Sequence, residues 1–319
     1  MHRLWFERGL PSHLSDLVSG RAEPLGPNGP GDPLGTAFDA DGAIASSLLR
    51  YDASVFDRMP KLRVVSRTGI GYDRVDIAEA TRRGIAVGVA PDGPTTSTAE
   101  HTLALILAVA KRLKATEAML REGPGDYFSR NDGVEIAGRT LGVVGYGRIG
   151  SRVAAMAGGL GMPILVFDPF AMPSESGIET AKSLPALLAN SDIVTLHLPL
   201  VDATRHLLDA AAFAAVRPGA IVINTARGGL IDHDALLEAL STGHVFGAGL
   251  DVTEPEPLPA THPLLWRDDV IVTPHVAAAT REGKDRLYAM AIDQAIAVLD
   301  GHSAPNIVNP EVIAQGGAE

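Results

Sequence analysis

The segment Leu141-Gly142-Val143-Val144-Gly145-Tyr146-Gly147-Arg148-Ile149-Gly150 constrains the fold of this chain more than any other. An apolar, β-rich run from Thr140 to Val144 enters a glycine turn, and the stretch Ile149 to Ala157 suits a helix packed on a sheet. A lone G-x-G-x-x-G is a weak signal. Between a strand and a helix it reads as the phosphate-binding turn of a dinucleotide fold. Gly145 permits the tight turn, Gly147 lets backbone approach a pyrophosphate, and Gly150 lets the helix lie close to the strand. The helix N-terminus adds unpaired N–H groups and a partial positive charge, with Arg148 beside it.

A second apolar run, Ile164 to Phe167, delivers Asp168, 18 residues beyond Gly150. A carboxylate at the end of that strand accepts hydrogen bonds from an adenosine ribose and repels a 2′-phosphate. No Arg occurs in Pro169-Phe170-Ala171-Met172, so the implied cofactor is NAD rather than NADP.

The rest of the chain divides around this unit. Candidate strands Arg3–Phe6, Gly42–Ser46, Leu62–Ser66 and Ile85–Val89, with helical pieces at Asp52–Met59 and Val75–Arg83, form a first α/β unit. The Gly/Pro-rich stretch 25–33 is read as a loop. From Thr98 to Leu120 the pattern is one long helix, apolar on most sides in its first half. Such a helix is buried all round or lies in a subunit interface. Strands Thr140–Val144, Ile164–Phe167, Ile193–Leu196, Ala220–Asn224, Gly247–Leu250 and Val270–Thr273 then alternate with helices such as Leu184–Ala189 and Asp234–Ser241, which implies a parallel sheet covered on both faces. The amphipathic helix Arg281–Leu299 has no strand of that sheet to follow and returns to the first unit.

The expected architecture is therefore α/β. A Rossmann-type doubly wound sheet (99–281, NAD-binding) is inserted into a smaller flavodoxin-like α/β substrate domain (1–98 plus 282–319). Hinges fall near 98 and 281, with a small-molecule cleft between the lobes.

Composition removes other classes. A formal charge of −11 disfavours nucleic acid and acidic membrane partners. Zero cysteines exclude disulfides, thiolate metal sites and cysteine catalysis. No signal peptide is visible at the N-terminus, and the longest apolar stretch, Leu103 to Ala110, falls short of the roughly 20 residues of a membrane span. A soluble cytoplasmic protein is expected. No His/Asp/Glu group has metal-ligand spacing, so no metal is expected.

Three loops leave the C-terminal ends of the later strands, where ligands bind in open α/β sheets: Asn224-Thr225-Ala226-Arg227-Gly228-Gly229, Asp251-Val252-Thr253-Glu254-Pro255-Glu256 and Thr273-Pro274-His275. An Arg, a carboxylate and a His at one edge suit hydride transfer to a 2-oxo acid. The fork of Arg227 can hold a carboxylate and polarise the adjacent carbonyl. His275 can protonate the carbonyl oxygen and accept that proton in reverse. Glu256, hydrogen-bonded to His275, would favour the imidazolium. Glu254 lies two residues away and competes for this role, but spacing from Asp251 favours Glu256. His197, at a strand end, is read as structural or as a minor cofactor neighbour.

These segments, together with Ser66-Arg67-Thr68-Gly69-Ile70-Gly71-Tyr72-Asp73 and Val194-Thr195-Leu196-His197-Leu198-Pro199-Leu200, resemble the D-isomer-specific 2-hydroxyacid dehydrogenases over essentially the whole chain. The resemblance implies a catalytic set of Arg227, Glu256 and His275. It implies cofactor contacts at Ile70, Gly145, Gly147, Arg148, Ile149, Gly150, Asp168, His197, Leu198, Pro199, Thr225, Ala226 and Asp251, and at Val276, Ala277 and Ala278 in the turn after His275. It implies substrate contacts at Ile70, Gly71 and Arg227, with the side chain of the 2-oxo acid meeting Leu49 and Arg50. A homodimer is implied as well, through the helix Thr102–Ala110 and the arm Tyr127–Ile136.

Phosphoglycerate dehydrogenases resemble the cofactor half. Their early-strand arginine for the substrate phosphate falls on Ser46 here, and the C-terminal regulatory extension many of them carry is not found. Glu256 stands where formate dehydrogenases have Gln. The expected reaction is reduction by NADH of glyoxylate, hydroxypyruvate or another small 2-oxo acid to the D-2-hydroxy acid, with the reverse reaction on 3-phosphoglycerate, itself a 2-hydroxy acid, as a further candidate. The alternative is an NAD(H)-responsive binding protein of corepressor type.

Overall fold

The computed structural model describes residues 1–27, 29, 31–46 and 48–315; Asn28 and Pro30 of the expected loop lie outside the described residues. The chain forms two compact units, Met1–Pro94 with Ala279–Glu319, and Thr95–Ala278. Among the described residues no helix is long and apolar enough to cross a membrane.

The first unit is a five-stranded parallel sheet of β1 (His2–Phe6), β2 (Ala22–Leu25), β3 (Gly42–Ala45), β4 (Val64–Arg67) and β5 (Ala86–Gly88), in the order β2-β1-β3-β4-β5. This is the flavodoxin-like order. Successive residues of β1 serve opposite faces. Trp5 packs with Ala43, Tyr51, Phe56 and Val65, while Leu4 and Phe6 pack with Ile44, Val64 and the inward face of helix Arg281–Leu299 at Ala291, Ile292, Ala295 and Leu299. Cover on both faces explains why these strands read as continuous apolar runs. The sequence reading misses β2, whose Ala-Glu-Pro-Leu is short and polar. Pro24 is tolerated there because β2 is an edge strand.

The second unit is a seven-stranded parallel sheet of β6 (Leu141–Val144), β7 (Ile164–Phe167), β8 (Ile178–Thr180), β9 (Ile193–Leu196), β10 (Ala220–Asn224), β11 (Val245–Leu250) and β12 (Val270–Val272). Its order, β12-β11-β10-β9-β6-β7-β8, reverses direction between β6 and β9. That reversal is the doubly wound switch point, where ligands bind beyond the strand ends. The sequence pattern shows six strands; the seventh, β8, is an edge strand reading Ile-Glu-Thr, too short and polar to show a pattern.

The expected helix Thr98–Leu120 is two helices, Thr95–Ala110 and Leu113–Arg121, broken where Arg112 turns into the left-handed region at φ 52°. Nor is the first buried all round. Thr102, Leu105, Ile106, Val109 and Ala110 face the core, whereas Ala104 and Leu107 are exposed. Two glycines admit the buried face: a Cβ at Gly247 would lie 2.8 Å from Val109, and one at Gly249 2.9 Å from Leu105.

Candidate active site

The glycine turn separates what the fold needs from what a ligand needs. Gly145 sits at φ +93°, and a Cβ there would meet the His197 carbonyl oxygen at 2.5 Å. A Cβ at Gly150 would lie 2.0 Å from the Gly145 carbonyl oxygen. Both glycines are demanded by protein packing. Gly147 is not: it caps helix Arg148–Gly159 with ordinary extended backbone, and a Cβ built on it meets nothing within 4 Å. A side chain there would fill the space before the N-terminus of that helix, the space a pyrophosphate takes up. The turn fits a dinucleotide on this ground.

Asp168 is bound into the same turn. Its Oδ2 accepts the Tyr146 N–H at 2.7 Å, and Oδ1 accepts those of Phe170 and Ala171 at 2.8 and 3.0 Å. A carboxylate has about four acceptor positions, so one remains on Oδ2 for a ribose hydroxyl. The Tyr146 hydroxyl donates to Glu175 at 3.0 Å, and burial together with that carboxylate pushes the phenol up to about 12. Leu198 is half-buried and Pro199 exposed on the loop after β9. His197, beside the turn, is 2.9 Å from the Thr195 hydroxyl, and burial lowers its imidazole to about 3. It is neutral at pH 7 and brings no charge to the turn.

The three loops expected to carry the chemistry leave adjacent strands. β10, β11 and β12 are parallel neighbours, with Asn224 opposite Leu250 and Leu250 opposite Val272, so all three loops start from one sheet edge. The Asn224 side chain shapes the first: its amide donates to the Arg227 carbonyl at 2.8 Å and its oxygen accepts the Ala226 N–H at 3.0 Å. Thr225 shares a 2.9 Å hydroxyl contact with Thr102. The second loop crosses close to the first, since a Cβ at Gly228 would lie 2.1 Å from the Thr253 carbonyl.

The third loop is held from below by Asp251, which is 1% exposed. Its carboxylate accepts the Thr273 hydroxyl at 2.6 Å and the Val276 and Ala277 N–H groups at 2.9 Å, and its carbonyl accepts the His275 N–H at 2.7 Å. This clamp keeps His275 at φ 55°, a conformation non-glycine residues rarely adopt without such support. His101, to which the sequence assigns no role, stands 3.0 Å from the Thr273 hydroxyl and so extends the same network. Nothing in its sequence context signals that contact, which spans 172 positions.

The result is an imidazole presented at the surface with an acid on one nitrogen. Nδ1 of His275 is 2.6 Å from Oε1 of Glu256. Glu254 is taken by Arg205 at 2.8 Å. Arg227 is half-buried, with Nη1 donating to the Ala226 carbonyl at 2.7 Å. Ala226 and Ala278 are half-buried, Val276 exposed and Ala277 buried.

The remaining expected residues belong to the first unit. Ile70 is exposed and Gly71 half-buried on the loop after β4, where the Gly71 carbonyl accepts Nε of Arg67 at 3.0 Å. Leu49 is half-buried and Arg50 exposed on the loop after β3.

Comparison with known proteins gives the family of the chain. Residues 103–277 match the model of the D-isomer specific 2-hydroxyacid dehydrogenase NAD-binding domain. A glyoxylate reductase of Korarchaeum cryptofilum is 40% identical over 281 residues, covering 86% of this chain and 84% of that protein. A D-3-phosphoglycerate dehydrogenase of Methanocaldococcus jannaschii is 41% identical over 281 residues, covering 87% of this chain but 53% of that protein; the chain spans about half the length of such relatives. The crystal structure of an Aquifex aeolicus D-lactate dehydrogenase, complexed with NAD and lactic acid, superposes with a TM-score of 0.83 at 28% identity, covering 97% of this chain and 99% of that one. The chain belongs to the D-isomer specific 2-hydroxyacid dehydrogenase family and is an NAD-dependent oxidoreductase of that family.

Proposed function

We propose that this protein reduces a small 2-oxo acid of the glyoxylate or hydroxypyruvate type to the D-2-hydroxy acid, with Arg227, Glu256 and His275 as its catalytic residues. The observation that carries this reading is the 2.6 Å contact between Glu256 and His275, with the strand before Glu256 lying next to the strand before Arg227. NADH supplies the hydride when bound, and Gly145, Gly147, Arg148, Ile149, Gly150 and Asp168 would hold it. Further contacts are assigned to Ile70, His197, Leu198, Pro199, Thr225, Ala226, Asp251, Val276, Ala277 and Ala278. Arg227 orients the substrate carboxylate through its planar fork. Glu256 accepts from Nδ1 of His275, which leaves Nε2 to give a proton to the carbonyl oxygen, or to take it back in oxidation.

Leu49, Arg50, Ile70 and Gly71 are assigned to the substrate. Ser46 places no cation at the end of β3, and its N–H is committed to the Glu7 carboxylate. The lack of a cation at Ser46 favours an uncharged substrate side chain over the phosphate of 3-phosphoglycerate, with Arg50, Arg67 and Arg130 as the positive charges that would serve a phosphate instead. A homodimer is included in the proposal, supported by the exposed Leu107, Leu113, Leu120 and Phe128 on and after the helix Thr95–Ala110. So is a cytoplasmic location, with which a cysteine-free chain is compatible. An NADH-consumption screen across 2-oxo acids of graded side-chain size tests the activity: turnover of small uncharged members is expected, and a preference for phosphorylated ones would contradict it.

A further inference from the structure

Glu7 follows β1 at the C-terminal edge of the five-stranded sheet and is 6% exposed. Both its oxygens are committed to the segment that leaves β3. Oε2 accepts the Ser46 N–H and Oε1 the Leu49 N–H. The hydroxyl of the fully buried Tyr51 lies 3.5 Å from Oε2. Ser46 Oγ accepts the Leu48 N–H at 3.3 Å. The far end of the segment is pinned as well, since the Tyr51 N–H donates to the Arg74 carbonyl and the Asp76 N–H to that of Tyr51, both at 2.8 Å.

A carboxylate is retained in such a position only when hydrogen bonds satisfy it. The sheet itself does not call for one: the neighbouring β1 positions Leu4, Trp5 and Phe6 are apolar and buried. What Glu7 does that no apolar side chain could do is fix the backbone of Ser46 and Leu49. Arg67, at the end of β4, has the matching role, with Nε on the Gly71 carbonyl. Both charges act on the Tyr51 hydroxyl, whose ionisation is suppressed by burial first and by Glu7 second.

We propose that Glu7 is a positioning residue for substrate selectivity: by fastening Ser46 and Leu49 it sets how Leu48, Leu49 and Arg50 are presented, and so which 2-oxo acid side chains are accepted. The inference rests on the dehydrogenase reading above and deepens it. It assigns no substrate contact to Glu7 itself.

The test compares wild type with Glu7→Gln and Tyr51→Phe. Glyoxylate carries only hydrogen at the discriminating position and hydroxypyruvate a hydroxymethyl group. The readouts are KM and kcat for both acids, NADH affinity by fluorescence titration, and amide exchange of the peptide spanning Ser46 and Leu49. In Glu7→Gln the KM for hydroxypyruvate is expected to rise roughly ten-fold, the scale of a lost charge-assisted hydrogen bond, and that for glyoxylate by less than about three-fold. NADH affinity and kcat should hold while exchange at Ser46 and Leu49 quickens, with Tyr51→Phe shifting selectivity less in the same direction. An unchanged ratio of the two KM values in both variants overturns the proposal. So does an equal rise for both acids together with weaker NADH binding, which marks a purely structural role. If Glu7→Gln does not fold, the ratio in Tyr51→Phe decides. Wild type inactive on every 2-oxo acid would instead overturn the reaction assignment, and selectivity with it.

Discussion

Nδ1 of His275 stands 2.6 Å from Oε1 of Glu256, while Glu254, two residues earlier, is held 2.8 Å from Arg205. One acid orients the imidazole; the other fastens its loop to a neighbour. His275→Ala should therefore lose about 10²–10⁴ in kcat, the usual scale of general acid–base catalysis. Glu256→Gln keeps an acceptor but removes the charge, and a loss of roughly ten- to a hundred-fold in kcat/KM is expected, with NADH affinity unchanged. Steady-state kinetics with fluorescence titration of NADH check both. A Glu254→Gln loss equal to that of Glu256→Gln would reverse the assignment.

Gly147 and Gly150 of the turn should separate by mechanism. Gly147→Val adds a Cβ that would meet nothing within 4 Å, so Tm should stay within about 2 °C of wild type. NADH binding should nevertheless weaken by about ten-fold or more, since the added group stands before the helix N-terminus. Gly150→Ala drives a Cβ to 2.0 Å from the Gly145 carbonyl and should destabilise by about 1–3 kcal/mol or more. Calorimetry and NADH titration of the two variants check this. Equal loss of Tm in both would mean that Gly147 serves packing.

Asp168, assigned to the ribose in the proposal above, also accepts the Tyr146 N–H at 2.7 Å. Asp168→Ser combined with Pro169→Arg should raise the kcat/KM ratio for NADPH over NADH by about ten-fold or more, by removing repulsion and adding a phosphate partner. Asp168→Ala alone should also weaken NADH, because the turn loses its anchor. A cofactor ratio unmoved by the double change would show that preference is set elsewhere.

His197 links stability to pH. Burial holds its imidazole neutral, lowering it from the ordinary 6.5 to about 3, so between those values the unfolded chain binds the extra proton. The stability is fully present above pH 6.5 and is lost as pH falls toward 3. At pH 5 the loss from this group is of order 1–2 kcal/mol. His233 is depressed in the same direction, by burial first and by His262 second. Denaturant unfolding at pH 8 and pH 5 should show a smaller drop for His197→Asn than for wild type. Equal drops would mean that His197 does not set this dependence.

Much of the fold and site is legible in the sequence because it is local there. The glycine turn, Asp168, and the Asn-Thr-Ala-Arg and Thr-Pro-His loops each announce themselves within a few residues, and strand ends place them at one sheet edge. The separate uses of Glu254 and Glu256 are only partly local: spacing points to Glu256, the acid that lies 2.6 Å from His275, but Arg205 lies 49 positions from Glu254. His101 under Thr273 and Glu7 under Ser46 are set by contacts 172 and 39 positions apart, for which no sequence pattern exists. Edge strands β2 and β8 escape because an edge needs little apolar surface. The break at Arg112 escapes because arginine is an ordinary helix former, and only its backbone angle reveals the turn.

Chiral analysis of the product formed from hydroxypyruvate and NADH tests most directly whether these residues direct hydride to one face of a 2-oxo acid. D-glycerate in equal amount to the NADH consumed, abolished in His275→Ala, is the expected result. L-glycerate, or no product from wild type that binds NADH, would contradict it.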